Sequence, residues 1–153
     1  VAAGGPEHWV VIYLGDGAAG TRDGITLNTQ QPALPAPFRF AVRWKADDSY
    51  NALDVWNGAG WSVQANWLGT QGSAVAESNA NQAVEFRIPL AALGGASRVS
   101  VITSWVFEGA GFETTYSPLP SGTFTDGYDP DPTTYYSFDL TGPGAPNTTG
   151  PSF

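Results

Sequence analysis

Along much of the chain, apolar and polar residues alternate with the period of two expected of half-buried strands. In the clearest run, Phe38, Phe40, Val42 and Trp44 fall on one side and Arg39, Ala41, Arg43 and Lys45 on the other. That pattern predicts a strand with one buried and one basic face. Trp61, Val63, Ala65 and Trp67 alternate with Ser62, Gln64 and Asn66, and Val84, Phe86 and Ile88 with Glu85 and Arg87. Residues 9–14 and 98–107 are apolar on both sides, as in central strands covered on both faces. Residues 51–56 lie between the turn Asp47-Asp48-Ser49 and the two-residue turn signal Asn57-Gly58, and predict a hairpin strand. Further strands are expected at 25–28 and 134–140.

The intervening segments at 15–24, 69–82 and 108–133 read as loops. Residues 31–37 hold three prolines without an N–H and predict a polyproline-like connection that joins no ladder. Leu90–Leu93 before Gly94-Gly95 reads as one helical turn with a glycine stop. Residues 1–140 then form one domain, and 141–153 a Pro- and Gly-rich tail or linker. Turn signals every ~8–12 residues predict an all-β, antiparallel sandwich of seven or more strands, with a closed barrel as the alternative.

A length of 153 residues suffices for one such core without disulfides or metals. The 19 Gly, 12 Pro, 6 Trp, 6 Tyr and 8 Phe suit strands joined by tight turns. Six Lys and Arg against 14 Asp and Glu leave a net charge of −8, which argues against nucleic acid and against an anionic membrane surface. No apolar stretch approaches the ~18 residues of a spanning helix, so membrane insertion is not expected. The absence of Cys excludes thiolate chemistry, disulfides and Cys-ligated zinc. A chain without Met is expected to be a processed or partial product. Low charge with abundant Asn, Thr, Ser and Gly and high Trp and Tyr content resembles the composition of bacterial secreted modules, so an extracellular or cell-surface setting is an expectation.

Candidate chemistry is sparse. His8 is the single histidine, and no nucleophile motif accompanies it. Glu85, Glu108 and Glu113 show no pairing of the kind glycoside hydrolysis needs, so no catalytic residues are expected. Asp126, Asp129 and Asp131 crowd into a Pro-fixed loop. They read either as calcium ligands, since calcium takes ~6–8 oxygens, or as a solvated acidic turn. Asp16 and Asp23, among glycines, carry the same two readings. Trp9, Trp44 and Trp105 fall on core positions. Trp56 and Trp61 flank the turn at Asn57, and Trp67 ends its strand. Indoles exposed there present flat apolar faces to the C–H face of a sugar, with Asp54, Asn57, Gln64 and Asn66 near enough for its hydroxyls. The alternative is that these rings cap the end of the sandwich.

Three segments carry a family resemblance. Val10-Val11-Ile12-Tyr13-Leu14-Gly15-Asp16-Gly17, closing in Gly20-Thr21, is a strand followed by an Asp- and Gly-rich loop. Val84-Glu85-Phe86-Arg87-Ile88-Pro89-Leu90-Ala91-Ala92-Leu93-Gly94 is the most specific, and the hairpin from Tyr50 to Trp61 lies between the two. Together they resemble the carbohydrate-binding family 9-like and DOMON-like β-sandwich modules of secreted bacterial proteins. The resemblance implies a jelly-roll-like sandwich, structural calcium, and a poly- or oligosaccharide held on exposed aromatic rings. The chain departs from it in lacking most of a strand before Trp9, and its tryptophans align to no fixed motif position. Haem-binding DOMON relatives use Met and His ligands; with no Met here, haem is not expected. Two functions follow: a non-catalytic carbohydrate-binding module, or a structural surface, matrix or filament subunit. The second would make protein contacts, including self-assembly, through edge strands or the tail.

Overall fold

The computed structural model describes residues 8–27, 31–78, 83–109, 112–115, 119–120 and 131–141. Strands are β1 (His8–Gly15), β2 (Thr21–Asp23), β3 (Ala33–Phe38), β4 (Phe40–Lys45), β5 (Asn51–Trp56) and β6 (Trp61–Ala65). After them come β7 (Ala74–Ser78), β8 (Ala83–Arg87), a 3-10 turn (Leu90–Leu93), β9 (Arg98–Gly109), β10 (Phe112–Thr115) and β11 (Tyr136–Asp139). The main sheet runs β10-β9-β1-β4-β5-β6, with β11 also pairing β9. Every pairing is antiparallel.

The doubly apolar β1 lies between β4 and β9, as its pattern requires. Val10, Ile12 and Leu14 pack on one face with Phe40, Val42, Trp44, Leu53, Trp67 and Leu93. Trp9, Val11 and Tyr13 pack on the other with Ile25, Leu34, Phe38, Ala41, Ile102 and Val106. The β7–β8 hairpin and the 3-10 turn cover the first face through Val75, Val84, Phe86 and Ala92. The β2–β3 pair covers the second through Leu34 and Phe38. The architecture is thus an all-β antiparallel sandwich with its largest sheet covered on both sides. The single buried face expected of β4 is replaced by two, because Ala41 is fully buried under β2–β3. The 3-10 turn ends at Gly94, whose φ of 71° is the left-handed stop that glycine permits.

Five expectations change. Residues 31–37 do enter a ladder, as β3. It pairs on one side only, Thr21 with Phe38 and Asp23 with Ala33, with a register shift between them. Pro35 and Pro37 sit in that irregular stretch, where no N–H is required of them. The run 38–45 is broken at Arg39: Phe38 belongs to the second core face and Phe40 to the first. The short second strand is Thr21–Asp23, not 25–27, where Ile25 and Leu27 are buried without being part of it; Asn28 lies outside the described residues. Within 69–82, Ala74–Ser78 forms a strand because it pairs antiparallel with β8. Within 108–133, Phe112–Thr115 pairs back on β9.

Candidate binding cleft

The covering layer leaves the β5–β6 end of the second face open, and Val63 is 54% exposed there. A cleft of about 460 Å³ lies at that end, walled by Trp56 and Trp61, with Arg43 and Asp54 from the sheet and Asp23 and Gln31 from the covering side. Register explains the grouping. Ala41 opposes Asp54 on β5 and Asp54 opposes Val63 on β6, while Trp56 opposes Trp61. Asp54 and Trp56, two apart on one strand, therefore share a face.

The hairpin that presents the indoles is locally determined. Gly58 has a φ of 98°, a conformation that favours glycine. Asn57 Oδ1 accepts from the N–H groups of Ala59 and Gly60, both at 3.0 Å, and Asn57 Nδ2 donates to Ser62 Oγ at 2.7 Å. Asn57 thus holds the turn and has little left for a sugar. The rings of Trp56 and Trp61 meet edge to face, centroids 5.8 Å apart at 67°. That contact leaves no slot between them, and only the outer faces of the rings are open to contact. Trp61 Nε1 donates to the Asp23 carbonyl at 3.0 Å, tying the hairpin to the covering layer.

Beneath the rings sits an ion pair. Arg43 Nε donates to Asp54 Oδ2 at 2.7 Å and Nη2 to Oδ1 at 2.9 Å. The Asp54 side chain is 1% exposed and that of Arg43 14%. The guanidinium also lies over the Tyr50 ring, 5.5 Å from its centroid. Burial pushes the Asp54 carboxyl above its usual range, while the hydrogen bonds and charge of Arg43 oppose the rise. Burial likewise raises the Tyr13 hydroxyl well above the ordinary tyrosine range. Sequence reasoning counted Arg43 only as part of a basic face. The signal that would have found it is the opposite charge at Asp54, across the turn at Asp47-Asp48-Ser49 on the facing strand.

The other candidates scatter. Trp67 is 2% exposed and lies in the first core face, so its ring is not presented to solvent. Gln64 lies on the opposite side of the sheet from the indoles, in a second cleft of about 380 Å³ with Phe40, Leu53 and Arg39. The Asn66 N–H donates to the Asn51 carbonyl at 2.8 Å. Asp16 receives Arg39 Nη1 at 2.9 Å and the Ala18 N–H at 2.9 Å, which occupies both its oxygens. Asp23 is near Thr21 Oγ1, and Asp131 Oδ1 accepts the Ala33 N–H at 2.7 Å. Asp126 and Asp129 lie outside the described residues. Among the described residues no three of His, Cys, Asp and Glu gather as a metal cage. The His8 ring packs on Trp105 and Phe107, with centroids at 5.4 and 5.0 Å. Among the described residues no helix is long and apolar enough to cross a membrane. No protein-family model, curated protein or solved structure matches the chain.

Proposed function

We propose that this chain is a non-catalytic carbohydrate-binding module of a secreted or cell-surface bacterial protein, with the sugar held in the Trp56–Trp61 cleft. The observation that supports this most is the composition of the cleft: two half-buried indoles beside an arginine held by Asp54. A pyranose has apolar C–H faces and a polar rim of donors and acceptors. One indole face takes the first, and the outer guanidinium nitrogen of Arg43 takes acceptors of the second. The edge-to-face contact of the rings makes this a one-sided platform, not a clamp. The resemblance of residues 9–94 to secreted carbohydrate-binding modules supports the same reading and the extracellular setting.

Titration calorimetry against a panel of soluble polysaccharides tests it. Binding to at least one, weakened about ten-fold or more by Trp56→Ala as expected of an aromatic anchor, is the expected result. No heat with any of them, or heat unchanged by Trp56→Ala and Trp61→Ala together, refutes it. Structural calcium belongs to this reading only through the acidic loop 126–131. A melting temperature that rises with added calcium and falls with a chelator is expected, and one indifferent to both removes calcium from the account.

A further inference from the structure

Among the described residues, β6 is one edge of the main sheet and pairs with β5 alone. The phase of that ladder is fixed by two bonds: Asn57 N–H to the Gly60 carbonyl at 3.1 Å, and Asn66 N–H to the Asn51 carbonyl at 2.8 Å. In an antiparallel pair, directed bonds alternate residue by residue. Gly60, Ser62, Gln64 and Asn66 therefore point their backbone groups at β5, and Trp61, Val63 and Ala65 point theirs outward. Among the described residues no backbone group bonds to those outward N–H and C=O groups.

Natural edges of this kind are blunted by lysine, by inward charges, by proline or by a bulge. This one has none of those devices. No residue between Asp54 and Glu77 is charged, and β6 itself reads Trp-Ser-Val-Gln-Ala. In a chain of net charge −8, that neutral edge lets two copies meet without like charges facing each other across it. The strand is also self-complementary about Val63. With Val63 opposite Val63 of a second copy, Trp61 falls opposite Ala65, and every outward donor finds an outward acceptor. The 54% exposed Val63 side chains come together at the centre of that contact.

We propose that a second copy of this chain is the partner of the β6 edge, joined through an antiparallel β6–β6 ladder centred on Val63. A two-fold axis normal to the sheet relates the copies, so both Trp56–Trp61 clefts lie on the same face of one continuous sheet. If that cleft holds sugar as proposed above, a polymeric ligand meets two sites at once; the dimer itself does not depend on that reading.

Sedimentation velocity on the full chain between about 5 and 500 µM tests the dimer, because the population of an associating species rises with concentration. Two variants locate it. Val63→Pro removes an outward N–H while leaving the β5–β6 ladder intact, and Val63→Lys sets two like charges face to face. Circular dichroism of each variant checks that the fold is kept. Amide exchange supplies a second readout, with slowing at Trp61, Val63 and Ala65 as concentration rises. The expected result is a wild-type dimer that both variants weaken about ten-fold or more. A monomer at every concentration overturns the proposal, as does a dimer that neither variant weakens and whose amides at these three positions exchange freely.

Discussion

Removing Arg43 tests the floor of the cleft. The Arg43→Met variant keeps most of the side-chain volume and takes away the two hydrogen bonds, at 2.7 and 2.9 Å, that Asp54 receives. Asp54 is 1% exposed, so it cannot turn to water in exchange. Stripping one partner from a buried pair costs about 3–5 kcal/mol, because the other charge stays behind uncompensated. For a domain of this length each kcal/mol lowers the melting temperature by roughly 2–4 °C, so a fall of about 6–20 °C is expected at neutral pH. The pH dependence gives a second signature. Burial already raises the Asp54 carboxyl in the folded state, and Arg43 opposes that rise. A carboxyl raised on folding destabilises fully above its folded pKa. The penalty shrinks as pH falls and vanishes below the unfolded value. Without Arg43 the folded value climbs further, so the variant loses most at neutral pH and least at about pH 4. Urea unfolding at the two pH values, followed by tryptophan fluorescence, reads both effects. A loss under about 1 kcal/mol at neutral pH, or an equal loss at both, would refute the claim that Asp54 is a desolvated carboxylate held by Arg43.

Adding Asp54→Leu to Arg43→Met removes both charges, and chemical denaturation is expected to show most of the lost stability restored, since apolar replacement of a buried pair is often neutral or better. Trp67→Ala should cost about 3–5 kcal/mol in the same assay, as for a large core side chain, without the loss of sugar affinity expected of Trp56→Ala. Gly20→Ala places a Cβ 2.3 Å from the Phe38 carbonyl oxygen; thermal unfolding should show a loss of about 2 kcal/mol or more as backbone moves apart. Asp16→Asn takes the charge from a side chain that is 7% exposed while its partner Arg39 is 39% exposed, and should cost about 1 kcal/mol in urea unfolding, since the amide still accepts from Ala18 and the exposed guanidinium stays solvated.

Much of the fold was legible because strand alternation reports burial directly. The two-sided apolar pattern at Trp9–Leu14 placed β1 centrally, and Gly94 marked the stop of the 3-10 turn. What escaped was pairing that breaks local rules. The prolines of β3 argue against a ladder, yet a one-sided, shifted pairing asks nothing of their missing N–H groups. Phe38 continues the alternation of Phe40 on paper, and only the break at Arg39 turns it to the other face.

The cleft was half legible. The turn at Asn57-Gly58 flagged Trp56 and Trp61, since a tight hairpin brings its flanking residues opposite each other. Asn57 spends its side-chain hydrogen bonds on the turn, a commitment its place beside the indoles does not reveal in the sequence. Gln64 falls on the face opposite Asp54 and Trp56 by the same alternation that groups those two. Arg43 was missed because its meaning comes from Asp54, on another strand, and from the layer that buries them both.

The central claim is that sugar lies against the Trp56–Trp61 pair. The six indole N–H groups give separate nuclear magnetic resonance signals, which can be followed while a polysaccharide that binds in calorimetry is titrated in. With sugar against that pair, the Trp56 and Trp61 signals move with the titration while those of the buried Trp44 and Trp67 hold still. Binding that moves other indoles and leaves Trp56 and Trp61 in place would contradict it.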